Sequence, residues 1–207
     1  MNPQFAPTPV LELVLPSNLG SGVQRPLHVH LAPGEMASLA GPRGSANLWG
    51  RRAVGLDTEP GEVRFLGCAW RALAPRQALA RRRLIGRVLA GRAFISTLTV
   101  VDNVLLVPRL TGHSSHAIEH HAARLEELFG MTLPTTRPDR TPPQILQLAQ
   151  WLRALVVPRR LLVLENPTRH LEGKHLAVLN RLVDRRRRRG TAVLWVADPP
   201  RPPPPPP

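Results

Sequence analysis

Residues 35–56 read EMASLAGPRGSANLWGRRAVGL, and this stretch decides the fold. Met36 to Ala40 is short and apolar and is bounded by Gly34 and Gly41, which predicts a buried strand. Gly41, Pro42, Arg43, Gly44 and Ser45 then form a turn, and the residues after it read as a helix to about Leu56. A strand, a glycine-containing loop and a helix in that order is the setting of a phosphate-binding loop, G-x-x-x-x-G-K-[ST]. In that register the loop runs from Gly41 through Pro42, Arg43, Gly44 and Ser45 to Ala46, Asn47 and Leu48. The frame is kept while the glycine, lysine and hydroxyl of its second half are replaced.

Outward from this stretch, 207 residues with 43% apolar side chains can bury one core, which predicts a single globular domain with a subdomain. One cysteine, Cys68, excludes an internal disulfide and fits a reducing compartment. The start, MNPQFAPTP, has neither a basic leader nor a long apolar run, and no apolar stretch reaches membrane-spanning length. The expectation is a soluble cytoplasmic protein. Twenty-eight Lys+Arg against 14 Asp+Glu give a net charge of +14, which raises nucleic acid or an anionic surface as a partner. Scattered, Arg-rich coding accounts for the same composition.

Val10–Leu15 and Leu27–Leu31 alternate apolar with polar residues and predict antiparallel strands separated by a turn-rich loop over 16–22. His28 and His30 share one face there, as a metal pair or as solvated strand residues. Glu62–Leu66 and Leu84–Leu89 predict further strands, and Pro75–Arg83 a basic helix. The run 98–106 turns helical near Asp102. Ser115–Phe129 carries a helical stripe of Ile118, Ala122, Leu125, Leu128 and Phe129, with Ser115 and Glu119 placed to help start it. His113, His116, His120 and His121 cluster along it. His116 and His120 have zinc-compatible spacing but lack the glutamate of an HExxH helix, so solvated histidines are the expectation. A helix is predicted from Thr141, with Pro142 and Pro143 in its first turn. Leu161–Leu164 reads as a central parallel strand, Leu176–Val183 as a helix, and Ala192–Ala197 as the last strand. Arg185–Arg189 either complements that helix's C-terminal dipole or forms an anion-binding patch. Residues 199–207 predict a disordered Pro-rich tail.

From Val10 to Pro199 the order of these pieces resembles the ATP-binding subunit of an ABC transporter. LAPGEMASLAGPRGSANL is similar to that family's strand and Walker A loop, and GLDTEPGEVRFLG to its following hairpin. STLTVVDNVLLV resembles the segment after the Q-loop. LRALVVPRRLLVLENPTRHLE resembles the run from signature helix through Walker B to the D-loop, and GTAVLWVADPP the strand ending at the switch histidine. The wording of the hairpin is nearest to subunits paired with lipid-handling permeases. The resemblance implies a P-loop NTPase-like (RecA-like) α/β fold: a mostly parallel sheet, an N-terminal antiparallel β part and a helical subdomain at about 98–155, all within residues 1–198.

The resemblance places the Walker A lysine on Asn47 and the Mg-binding hydroxyl on Leu48. Loss of a unit charge about 4 Å from a phosphate oxygen removes roughly 4 kcal/mol at an effective dielectric near 20. Leu48 offers no oxygen to a hard cation, and Ala46 adds a side chain where backbone would approach phosphate. The Q-loop glutamine falls on Ala90, and the LSGGQ signature on Thr141-Pro142-Pro143-Gln144-Ile145, whose prolines lack N–H donors. Walker B aspartate becomes Glu165, which retains oxygen for a metal. The catalytic glutamate becomes Asn166, which cannot take a proton from water. Glu172 stands for the D-loop aspartate and Asp198 for the switch histidine. No tyrosine exists to stack on adenine; Phe5 is the substitute.

The resemblance therefore implies a catalytically degenerate subunit with weak or absent ATP and Mg binding. It would be peripheral at the inner face of the cell membrane, docked on a permease or an active ATP-binding partner, with a dimer as one form. A second reading keeps residual ATP binding or slow hydrolysis through Glu165 and the arginines Arg43, Arg51 and Arg52. A third, a nucleic-acid or anionic-surface binder, lacks aromatic residues interleaved with the charge.

Overall fold

The computed structural model describes residues 8–16, 26–57, 60–91 and 93–199. Phe5, most of the 16–22 loop, part of the turn before Gly61 and the Pro-rich tail beyond Pro199 lie outside these residues.

Alternation in the first two strands does what a half-buried pleat requires. β1 (Leu11–Leu15) pairs antiparallel with β2 (Leu27–Leu31), so that Leu11 faces Leu31, Leu13 faces Val29 and Leu15 faces Leu27. The outward partners are Glu12 with His30 and Val14 with His28. The chain then crosses to β3 (Met36–Ala40), the Gly41 loop and α1 (Ser45–Ala53). It returns to the first sheet as β4 (Glu62–Phe65), on the other side of β1, and as β5 (Cys68–Ala69), a two-residue strand that the sequence pattern does not announce.

α2 (Pro75–Arg82) leads into β6 (Ile85–Val88). Three helices follow: α3 (Val100–Leu110), α4 (Ser115–Phe129) and α5 (Pro143–Leu155). β7 (Leu161–Glu165), α6 (Gly173–Arg187) and β8 (Ala192–Ala197) complete the described chain. The second sheet is parallel, in the order β3-β8-β7-β6. Helix starts are marked chemically where side chains allow it: the Thr99 hydroxyl accepts from the Asp102 N–H at 3.1 Å ahead of α3. The starting role given to Ser115 is not realised. Ser114 is the N-cap of α4 and makes no side-chain capping bond.

β7 shows why its sequence is apolar without alternation. All five residues are buried because strands flank both edges and both faces are covered. Leu161 and Val163 enter a core with α1 and the antiparallel sheet, whereas Leu162 and Leu164 enter one with α3 to α6. The molecule is thus layered: antiparallel sheet with α1, parallel sheet, helices.

β3 departs from the buried strand predicted for it. Its residues are exposed or half-buried, Met36 being 37% exposed. Among the described residues β3 is an edge strand paired only with β8, so small and apolar residues there report connectivity rather than depth. α6 is longer than predicted and takes in three of the arginines of the 185–189 run as its last turn.

Candidate functional site

The loop after β3 forms because glycine is available where the chain must turn. Gly44, the N-cap of α1, has φ 94°, a left-handed conformation that costs glycine little. The Ser45 N–H donates to the Pro42 carbonyl at 3.0 Å and closes the turn. Gly41 has no room for a side chain, since a Cβ would stand 2.5 Å from the Trp49 ring. Arg43 and Asn47 are exposed, Leu48 half-buried, and Ser45 and Ala46 buried.

The N-terminus of α1 would attract an anion through its unpaired N–H groups and its dipole. Here the chain supplies the anion itself. The Ala46 N–H donates to Asp198 Oδ1 at 2.8 Å. Asp198 is held there by Asn166, whose Nδ2 donates to Asp198 Oδ2 at 3.0 Å while the Asp198 N–H donates to Asn166 Oδ1 at 2.7 Å. Asn166 adopts φ 46°, and its own N–H donates to the Val196 carbonyl at 2.8 Å. Residues just beyond the ends of β7 and β8 are thus locked to each other and presented to the first turn of α1.

Below this contact lies Glu165, the last residue of β7 and 0% exposed. Its carboxylate accepts from Arg87 Nε at 3.0 Å and from Arg87 Nη2, and from the Ala90 N–H at 3.2 Å. The space it uses is made by Gly50, where a Cβ would come within 2.1 Å of Glu165 Oε1. Burial pushes the Glu165 pKa up, against the pull of Arg87, which lowers it. A folded-state value above the unfolded one means stability that is full below the ordinary glutamate value, about 4.3, and lost as pH rises through the raised value. Urea titrations at successive pH values should therefore show wild type losing stability relative to Glu165→Gln from about pH 4.3 upward.

The structure places Ala46, Asn166 and Asp198 in one hydrogen-bonded group and Ala90 and Glu165, with Arg87, in a second, the two adjoining where Asn166 follows Glu165 in the chain. It leaves other candidates apart. Thr141 is buried and bonds to the Arg137 carbonyl at 2.9 Å, Pro142 and Pro143 start α5, and Gln144 lies 3.5 Å from His175. Glu172 is the exposed N-cap of α6. His28, His30, His113, His116, His120 and His121 are all exposed, and among the described residues no three His, Cys, Asp or Glu side chains converge as a metal site.

Arg51 and Arg52 do not act together with the loop. Arg51 donates to the Leu56 carbonyl at 3.2 Å. Arg52 is 4% exposed and lines a small cavity with Leu15, Val63 and Trp70, under the antiparallel sheet. Helical spacing turns it away from the first turn of α1.

Arg87, which binds Glu165, carries no sequence signal, because a lone arginine in a short strand belongs to no motif. Gly50 inside a predicted helix was the available signal of a close approach. Beside the Ala90 turn, a cavity of about 530 Å³ opens between Leu89, Phe94, Leu146 and Arg169.

No family model matches this sequence. The chain is 27% identical over 172 residues to an uncharacterized ABC transporter ATP-binding protein of Sinorhizobium fredii, covering 80% of this chain and 48% of that protein. It is 35% identical over 112 residues to the lipoprotein-releasing system ATP-binding protein LolD of Maricaulis maris, covering 53% of this chain and 49% of the relative. The chain thus spans about half the length of these curated relatives. Its fold is that of solved ATP-binding cassettes. It superposes on an ATP-binding subunit of an ABC transporter with a TM-score of 0.75 at 17% identity, over 91% of this chain and 79% of that one. Against the dimeric bacterial ABC transporter cassette MJ0796 the TM-score is 0.74 at 21% identity, over 90% and 87%.

Proposed function

We propose that this chain, an ABC ATP-binding-domain-like subunit by relatives and fold, is a catalytically degenerate one. It serves as a structural or regulatory partner of a transporter, docked on a permease or paired with an active ATP-binding subunit. The observation that carries the proposal is the Asp198 carboxylate on the Ala46 N–H at 2.8 Å, where an anion would meet the first turn of α1.

The residues present do not fit Mg-ATP. Asn47 brings no charge to a phosphate, Leu48 brings no oxygen to a cation, and Asp198 adds a negative charge at the anion position. Glu165, the remaining oxygen donor, spends both oxygens on Arg87 and Ala90. Asn166 is engaged with Asp198 rather than free to orient a water. Phosphoryl transfer rests on positioning and charge stabilisation, and this cluster supplies a closed set of internal hydrogen bonds instead. The apolar layering around it is intact, which supports a retained scaffold.

The competing reading, residual ATP binding, rests on Glu165 and the loop arginines. Arg52 lies under the antiparallel sheet and supports it poorly.

Calorimetric titration with Mg-ATP tests the proposal by restoration. Wild type should give no binding heat up to millimolar nucleotide. The variant Ala46→Gly, Asn47→Lys, Leu48→Ser, Asp198→His should gain at least tenfold in affinity, about 1.4 kcal/mol. Sub-millimolar binding by wild type would overturn the degenerate reading.

A further inference from the structure

The opposite edge of the parallel sheet from the Gly41 loop has a different chemistry. Ile85, Leu161 and Ala192 stand in register at the beginnings of β6, β7 and β8, so the segments that precede them lie side by side. Arg83 precedes β6, Arg159 and Arg160 precede β7, and Arg185–Arg189 close α6 before β8. Backbone bonds tie the three together: the Arg160 N–H donates to the Leu84 carbonyl at 2.8 Å, and the Ala192 N–H to the Arg160 carbonyl at 2.9 Å. A parallel sheet has thus collected eight arginines that the sequence keeps in three places.

Acceptors for these arginines are mostly carbonyls. Arg186 donates to the Leu155 carbonyl, Arg187 to that of Gly34, and Arg159 to that of Arg83. Among the described residues only Arg187 has a carboxylate partner, Asp184 at 3.4 Å; the other nearby acid, Glu35, accepts from the Ala32 N–H. Burial, with Arg186 beside it, lowers Arg159 to about 10, and burial followed by Arg189 and Arg185 lowers Arg186. Eight arginines share the Asp184 carboxylate among the described residues, so positive charge is concentrated here.

We infer that this arginine edge is a docking surface for a bilayer containing acidic phospholipids. Guanidinium groups bind lipid phosphates in bidentate fashion, and clusters of this size suit an anionic leaflet. The surface next to the cluster is aliphatic: Leu84 is 39% exposed, and Leu79, one turn before Arg83, is 54% exposed. Aliphatic side chains beside arginine suit the headgroup boundary. A single-stranded nucleic acid would call for stacking platforms, and none of the exposed large apolar side chains among the described residues is aromatic. The inference does not depend on whether the Gly41 loop binds nucleotide.

Vesicle co-sedimentation tests it, with phosphatidylcholine alone and phosphatidylcholine mixed with phosphatidylglycerol. Wild type should partition to the mixed vesicles only. The triple variant Arg185→Gln, Arg188→Gln, Arg189→Gln should bind them about 100-fold more weakly, at about 1 kcal/mol per arginine. A control of equal net charge, Arg124→Gln, Arg137→Gln, Arg140→Gln, should lose less than about threefold, since those exposed arginines lie outside the edge. The edge side chains replaced are exposed, so an unchanged urea midpoint confirms the fold. Equal losses in the two triples, absence of partitioning by wild type, or displacement from vesicles by equimolar duplex DNA would each overturn the inference.

Discussion

Replacing Glu165 with Leu should destabilise the chain by about 3 kcal/mol, read as a lower urea midpoint at neutral pH. The Glu165 side chain is 0% exposed and that of Arg87 18% exposed. Removing the carboxylate leaves the guanidinium and the Ala90 N–H facing a hydrocarbon. The loss belongs to the unpaired partner, not to the pair itself, so the double variant Arg87→Met, Glu165→Leu should recover most of it. Gly50→Ala should be costly in wild type, because its Cβ would overlap Glu165 Oε1, and much cheaper with Glu165→Leu only if that side chain moves aside. A carboxylate kept for a metal would behave differently: millimolar Mg would stabilise wild type and leave the Leu variant unchanged. The cluster predicts no effect of Mg on either.

Replacing Asp198 with Ala should have two effects of opposite sign. The N-terminus of α1 loses its carboxylate and a hydrogen bond, a cost of about 1 kcal/mol. The freed Ala46 N–H and helix dipole then become available to an external anion. Pyrophosphate should stabilise Asp198→Ala, by about 1.4 kcal/mol at ten times its dissociation constant, and should leave wild type unmoved. Asp198→Asn keeps an acceptor on Ala46 and the backbone N–H to Asn166 Oδ1 but gives up the bond from Asn166 Nδ2; with the Ala46 N–H still occupied, it should resemble wild type in its indifference to pyrophosphate. Thermal unfolding with and without pyrophosphate distinguishes the three proteins.

The framework was largely legible because its elements are specified locally or by a simple period. Alternation in Val10–Leu15 and Leu27–Leu31 fixed the inward face of the antiparallel sheet, and the unbroken apolar run of β7 fixed its central place. The glycines at 41 and 44 marked the loop. What could not be read was depth and pairing across the chain. β3 has the composition of a buried strand but lies at an edge, since burial depends on which strands arrive beside it. Arg52 follows the loop in sequence but turns under the other sheet through helical spacing. The resemblance assigned Ala90, Glu165, Asn166 and Asp198 one at a time, yet the bonding of Ala90 to Glu165 and of Asn166 to Asp198, and the part of Arg87, depend on contacts 32 to 152 residues apart. Residues far apart along the chain thus form two adjoining bonded groups in space.

On the proposed reading, Asp198 and Asn166 close the N-terminus of α1 with the chain's own groups. The most direct measurement is Mg-ATP turnover by the purified, contaminant-free chain, alongside Glu165→Gln as a blank. The account predicts identical background rates for both proteins. A wild-type rate above background that disappears in Glu165→Gln would contradict it.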